Sequence, residues 1–177
     1  MNDDVVKEVF SVYEALKDSI KITRRSINHE MYSLHNRTIF WGEQKTEMLE
    51  RLSGTVEELD DIMILSLFAS FERELRVFIQ NIVDGNINKS TRTIERITSL
   101  TTDSIERWTV NDMVEAFSDI VDENLRGKVK QIYEYRNWVA HGKNQSRLPS
   151  ARTDPKTVQI TLIDFIHQAR QANSTPI

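Results

Sequence analysis

Apolar residues recur along most of this chain at three- and four-residue spacing, the period of an α-helix with one buried side. Val5, Val9, Val12, Leu16 and Ile20, continued by Ile27, Met31 and Leu34, predict one long helix over residues 3 to about 38. Trp41-Gly42 and Ser53-Gly54 punctuate the next segment, so residues 43–52 read as a short helix or helical linker. From about Thr55 to Val83 the stripe is strongest: Ile64, Phe68, Phe71, Leu75, Phe78 and Ile82 fall within a narrow arc, and Asp84-Gly85-Asn86 stops the run.

The second half is more broken. A polar, Thr-rich stretch from Asn86 to Arg107, anchored by Ile87, Ile94, Ile97 and Leu100, reads as loop plus short helix. Thr109 with Asp112 fits a capping box. It opens a helix with Met113, Val114, Phe117, Ile120 and Val121 on its buried side, ending near Asp122. The next helix spans about Glu123 to His141, with Gly142 in the position that commonly succeeds a helix end. After a loop to Pro155, Val158 to Ala172 suggests a closing helix, although Val158, Ile160 and Leu162 also alternate like a strand. The expectation is an all-α single domain over residues 1–172, with 173–177 a frayed tail.

Composition agrees with helix. Only 5 Gly and 3 Pro occur in 177 residues, and 28% of the chain is charged. The absence of Cys excludes disulfides, thiolate metal sites and a thiol nucleophile, and points to a reducing, cytoplasmic home. The acidic N-terminus lacks a basic leader, and the longest apolar run, Ile62 to Ala69, is interrupted by Ser66 and too short to span a bilayer, so no membrane association is expected. His29 and His35 are wrongly spaced for adjacent helical ligands, no carboxylate cluster completes a metal site, and Gly127-Lys128 lacks the preceding glycine of a phosphate loop. No metal and no cofactor are expected.

Charge changes the picture locally. Between Arg126 and Lys156 eight basic residues face two acidic ones, so this stretch is +6 and the remainder −10. A basic block on an acidic chain is what polyanion binding requires. The block contains Arg136-Asn137-Trp138-Val139-Ala140-His141. At about 100° per residue Arg136 falls in the middle of the face formed by Leu125, Val129, Ile132, Val139 and Ala140. A guanidinium there must pair with a carboxylate, reach an edge, or face an interface. Glu72 and Glu74, flanking the core stripe, are the candidate carboxylates. Asn137 and His141 share another face with Lys130 and Tyr133, and His141 is suited to moving a proton near neutral pH. Arg136 and His141 point about 140° apart. A single site therefore needs an arginine swing or, as favoured here, a second copy of the helix alongside.

Arg, a polar residue, three more and then His, near the end of a late helix in a small helical domain, resembles the HEPN superfamily (higher eukaryotes and prokaryotes nucleotide-binding). The family pattern is Arg, four to six residues, His, often with Asn, Asp or His directly after the Arg; Arg136, Asn137 and His141 match it. The resemblance implies an up-and-down bundle of four to five helices that dimerises, and metal-independent RNA cleavage by 2′-hydroxyl attack. Arg136 would hold the scissile phosphate, His141 would handle the proton, and Asn137 would orient one or the other. Lys130, Tyr133, Lys143, Arg147 and Arg152 are the candidate RNA contacts. Many relatives are toxins or phage-defence effectors with an antitoxin or other partner protein, and some only bind RNA or assemble with proteins. One branch carries a Tyr two residues after the His, which its antitoxin modifies; here that residue is Lys143.

Overall fold

The computed structural model describes residues 2–84, 95, 97 and 108–171. Its elements are α1 (Asp4–Asn28), a 3-10 turn (Tyr32–His35), α2 (Lys45–Val83), α3 (Val110–Glu115), α4 (Glu123–Ala140) and α5 (Pro155–Gln171). Among the described residues every regular element is helical, and no helix is long and apolar enough to cross a membrane. Apart from Glu95 and Ile97, the Thr-rich stretch lies outside the described residues, as does the C-terminal tail.

Helix α2 is the spine. Its 39 residues run straight through Ser53-Gly54, where the sequence suggested a break. A single interior Gly costs only ~1 kcal/mol. That is offset by the helix-forming residues around it and by a capped start, where Glu47 accepts from the Gln44 amide at 2.9 Å. Helix α1 packs antiparallel to α2, with Tyr13 against Asp60 and the Asn2 amide on Glu74. Helix α4 is also antiparallel to α2, pairing Tyr133 with Phe68 and Tyr135 with Asp61. Helix α5 runs alongside α2 and sets Phe165 edge-on against Phe71 at 5.4 Å. The result is an up-and-down bundle whose centre is Phe68, Phe71, Phe117 and Phe165, all fully buried.

Two expectations about α1 are corrected. The helix ends at Asn28, because Glu30 adopts φ 56° and the amides of Glu30 and Met31 turn back onto the carbonyls of Ile27 and Ser26, a Schellman closure without glycine. In its first half the buried side is Val6, Phe10 and Tyr13, one position round from the predicted Val5, Val9 and Val12, with Val12 and Leu16 exposed, whereas Ile27 near its end is buried as predicted. The polar anchors fix this rotation: Asp3 meets Arg170 and His167 of α5, and Tyr13 and Lys17 both reach Asp60.

The Thr109–Asp112 capping box forms as predicted, with the Asp112 amide on Thr109 and the Thr109 amide on Asp112. Helix α3 nevertheless stops at Glu115, seven residues before the predicted end. Tighter three-residue turns replace it, with Ser118 on Glu115 and Ile120 on Phe117, while Phe117 sits between Phe78 and Phe165. At α5 the helix wins over the strand from its first residue. Asp154 accepts the Lys156 and Thr157 amides, and Pro155 occupies the position where a missing N–H costs nothing. Val158 and Leu162 are buried while Ile160, which a strand would place beside them, is exposed.

Candidate functional site

Helix α4 is capped at its start by Asp122, whose carboxylate accepts the amides of Asn124 and Leu125. It ends in a second Schellman closure: the Gly142 amide bonds the Val139 carbonyl and the Lys143 amide bonds the Trp138 carbonyl. Gly142 has φ 80°, the left-handed conformation that favours glycine, and Lys143 comes next at φ 56°. The chain therefore leaves the helix directly after His141, which stands exposed at its end.

The buried side of α4 is Leu125, Val129, Ile132 and Tyr135. Arg136 is consequently not central to the apolar face; it lies at the edge, half-buried, and Ala140 is exposed. Tyr135 takes the inward place because its hydroxyl can donate to buried Asp61 at 2.7 Å. The Arg136 guanidinium donates to Asn137 Oδ1 at 2.9 Å, while its Nε is buried without a partner. Neither candidate carboxylate answers it: Glu72 holds Arg76 at 2.9 Å and Glu74 accepts the Asn2 amide at 2.9 Å.

Asn137 and His141 line one cleft of about 400 Å³ together with Glu134, Trp138 and Arg147. Asn137 thus bridges Arg136 to the His141 cleft, on which Arg136 itself does not open. The loop after His141 is fixed by local bonds. Trp138 Nε1 donates to the Asn144 carbonyl at 2.9 Å, and Asn144 Oδ1 accepts from Ser146 and positions the turn that carries Arg147.

The linear basic block is not a uniformly basic surface. Carboxylates from outside it neutralise three of its cations. Arg126 and Lys130 share Glu115, and Lys143 holds Asp61 at 2.7 Å and Glu58 at 2.6 Å. The Lys130 ammonium holds the Glu115 carboxyl below its ordinary pKa, and Asp61 with Glu58 raises that of Lys143. Tyr133 is stacked on Phe68 at 5.6 Å and belongs to the core edge. Arg147 and Arg152 are exposed and form no ion pair among the described residues, Arg147 on the His141 cleft and Arg152 on a cleft of about 410 Å³ shared with Glu57, Asp60, Asp61 and Asp154. Of the expected RNA contacts Arg147 keeps a cation clear of that acidic cleft, whereas Lys130 and Lys143 have structural partners. No family model, curated protein or solved structure matches the chain.

Sequence reasoning missed the acceptor that organises this end of the bundle. Asp61, 8% exposed, binds both Tyr135 and Lys143, tying α4 and the loop after His141 to α2. Burial and then this bond push the Tyr135 phenol up to about 12. The signal was present, because Asp61 extends the stripe of Ile64, Phe68 and Phe71 by one further turn. An acid on a core stripe announces a buried donor elsewhere. Among the described residues no group of three or more His, Asp and Glu is placed to hold a metal ion.

Proposed function

We propose that this protein is a HEPN-type, metal-independent endoribonuclease of the toxin or phage-defence kind, acting on cytoplasmic RNA as a homodimer. One observation carries the reading. Arg136 has no carboxylate among the described residues and is held only by Asn137, whose side chain lines the open cleft beside His141. A guanidinium that meets no carboxylate, joined through Asn137 to the cleft of a solvent-facing imidazole, suits a phosphodiester once a second copy brings the two together.

In the reaction proposed, the ribose 2′-oxygen attacks the adjacent phosphorus while its proton passes to the His141 imidazole of one copy. The bond from phosphorus to the 5′-oxygen breaks, and that oxygen takes a proton from the imidazolium of the other copy. The products carry a 2′,3′-cyclic phosphate and a 5′-hydroxyl. Arg136 binds the non-bridging oxygens, where negative charge grows, and Asn137 orients the guanidinium. A dimer supplies what one chain lacks, since Arg136 does not open on the His141 cleft of its own copy. Arg147 extends the cationic track. Such a nuclease calls for an antitoxin or other restraining partner.

The test is cleavage of labelled RNA by the purified protein, with His141→Ala and Arg136→Ala alongside. General acid–base loss should cost about 10²–10⁴-fold and loss of a charge-stabilising donor about 10²–10³-fold. Cleavage that persists in both variants would falsify the mechanism. A second reading, a non-catalytic RNA-binding or protein-assembly module, is favoured by the same separation of Arg136 from the His141 cleft within one chain. It predicts salt-sensitive RNA binding with intact RNA.

A further inference from the structure

The α1–α2 hairpin does not end where the motif helix ends. Tyr135 and Lys143 meet α2 at Asp61 and Glu58, yet α2 continues back to Lys45. From Asp61 to Met48 the overhang is roughly 20 Å at 1.5 Å per residue. It has a core of its own, Ile27, Met48 and Leu52 flanked by Ile20, Phe40 and Leu49.

The chain that closes this tip turns three times through left-handed backbone, at Glu30, Arg37 and Gly42. Between the turns, Tyr32, His35, Phe40, Trp41, Gly42 and Glu43 wall a cleft of about 340 Å³, whose one acid, Glu43, is neutralised by Arg51. Trp41 is 63% exposed and Tyr32 46%, unusual for rings that could have been folded onto the small core beneath. His35 is buried. The Ser26 hydroxyl donates to the Thr23 carbonyl and its Oγ lies 2.9 Å from His35 Nε2, while His35 Nδ1 is buried with no partner among the described residues. Charge at the tip is also unbalanced. Glu43 is held by Arg51, Glu30 faces Lys45 and Glu47 caps α2; against the one remaining carboxylate, exposed Glu50, stand exposed Arg24, Arg25 and Arg37, which meet no carboxylate among the described residues.

We propose that this tip is a stacking subsite for the unpaired bases of single-stranded RNA, with Trp41 and Tyr32 as the platforms and Arg24, Arg25 and Arg37 as the backbone contacts. It deepens the nuclease reading and rests on RNA being the ligand. Exposed aromatic rings on the same tip as arginines that meet no carboxylate are the combination that single-stranded nucleic acids recognise, because every base has a stackable face and every linkage a charge. A protein partner would use the apolar side chains but would leave three like charges unanswered unless it were acidic. The overhang lies at the same end of the bundle as the C-terminal end of α4, roughly 20 Å beyond Asp61 at 1.5 Å per residue, and a strand that reaches both clefts is part of the proposal. Bases held at the tip would select unpaired RNA before the motif helix meets the phosphate.

Binding is measured by anisotropy of a labelled single-stranded oligoadenylate and of a fully paired RNA hairpin, using His141→Ala protein so that the RNA survives. Trp41→Ala should weaken single-strand binding by roughly 5- to 150-fold per stacked base, with Trp41→Phe restoring most of it and the hairpin indifferent to both. Replacing Arg24, Arg25 and Arg37 by Gln should flatten the salt dependence. Trp41→Ala affinity within twofold of the parent overturns the proposal, provided circular dichroism shows the fold intact. So does unchanged affinity accompanied by loss of self-association, which would make the tip a protein contact. The two readings separate cleanly: wild type that binds through Trp41 without cutting removes the nuclease alone, and wild type that cuts with Trp41 irrelevant removes the subsite alone.

Discussion

Removing the Asp61 carboxylate should loosen the whole motif end of the bundle, and the cost can be worked from its bonds. Asp61→Ala strands the Tyr135 hydroxyl, which donates to it at 2.7 Å in a residue only 8% exposed. A lost hydrogen bond to a charged acceptor costs about 1.5–3 kcal/mol. Lys143 also loses Asp61, but it keeps Glu58 at 2.6 Å and partial access to water, so that half adds at most about 1 kcal/mol. The sum is about 2–4 kcal/mol. For a chain of this length each kcal/mol moves Tm by about 2–4 °C, so thermal unfolding should fall by roughly 5–15 °C. A cycle with Tyr135→Phe isolates the pair: the double variant should recover at least about 1 kcal/mol relative to additivity. Urea unfolding of the four proteins is the assay. A single-variant loss below about 0.5 kcal/mol, or strict additivity in the cycle, would refute Asp61 as the organising acceptor.

Phe71→Ala, at the meeting of Phe68 and Phe165, should cost about 3–5 kcal/mol in the same unfolding assay, against little change for Val12→Ala on the exposed side of α1. Asp3 ties α1 to α5, and its bond to Lys7, joined by that to His167, holds its carboxyl well below the usual 3.8 despite burial. A depressed folded pKa means the contribution is whole above the unfolded value and fades as pH falls through the folded one. The stability gap between wild type and Asp3→Asn should accordingly be constant near neutrality and shrink below about pH 4; a gap that widens in acid would show the sign is wrong.

Much of the secondary structure was legible in the sequence because the relevant physics is local. The capping box at Thr109, the glycine that lets α4 end at His141, and the stripe from Ile64 to Ile82 depend on residues within a turn or two of one another. Where the sequence misled, a distant partner had decided the matter. Gly54 is read as a stop because of its own backbone freedom, but the helix it sits in is held on both sides by packing that no local window contains. The stripe on α1 has apolar residues on two adjacent strips, and Asp60, some fifty positions away, chooses between them through Tyr13 and Lys17.

The same division holds at the candidate site. Sequence by itself determined the residue types and their order on one helix: an Arg, an Asn and a His at an exposed end, since helical pitch and capping come from the chain alone. Only the tertiary structure decided what each side chain is free to do. Asp61 draws Tyr135 inward and turns Arg136 to the edge, Glu115 and Glu58 neutralise cations that looked available, and Asn137 joins the arginine to the histidine cleft. Charge and burial are set by whatever lies across the gap, and the linear order of residues does not contain that neighbour.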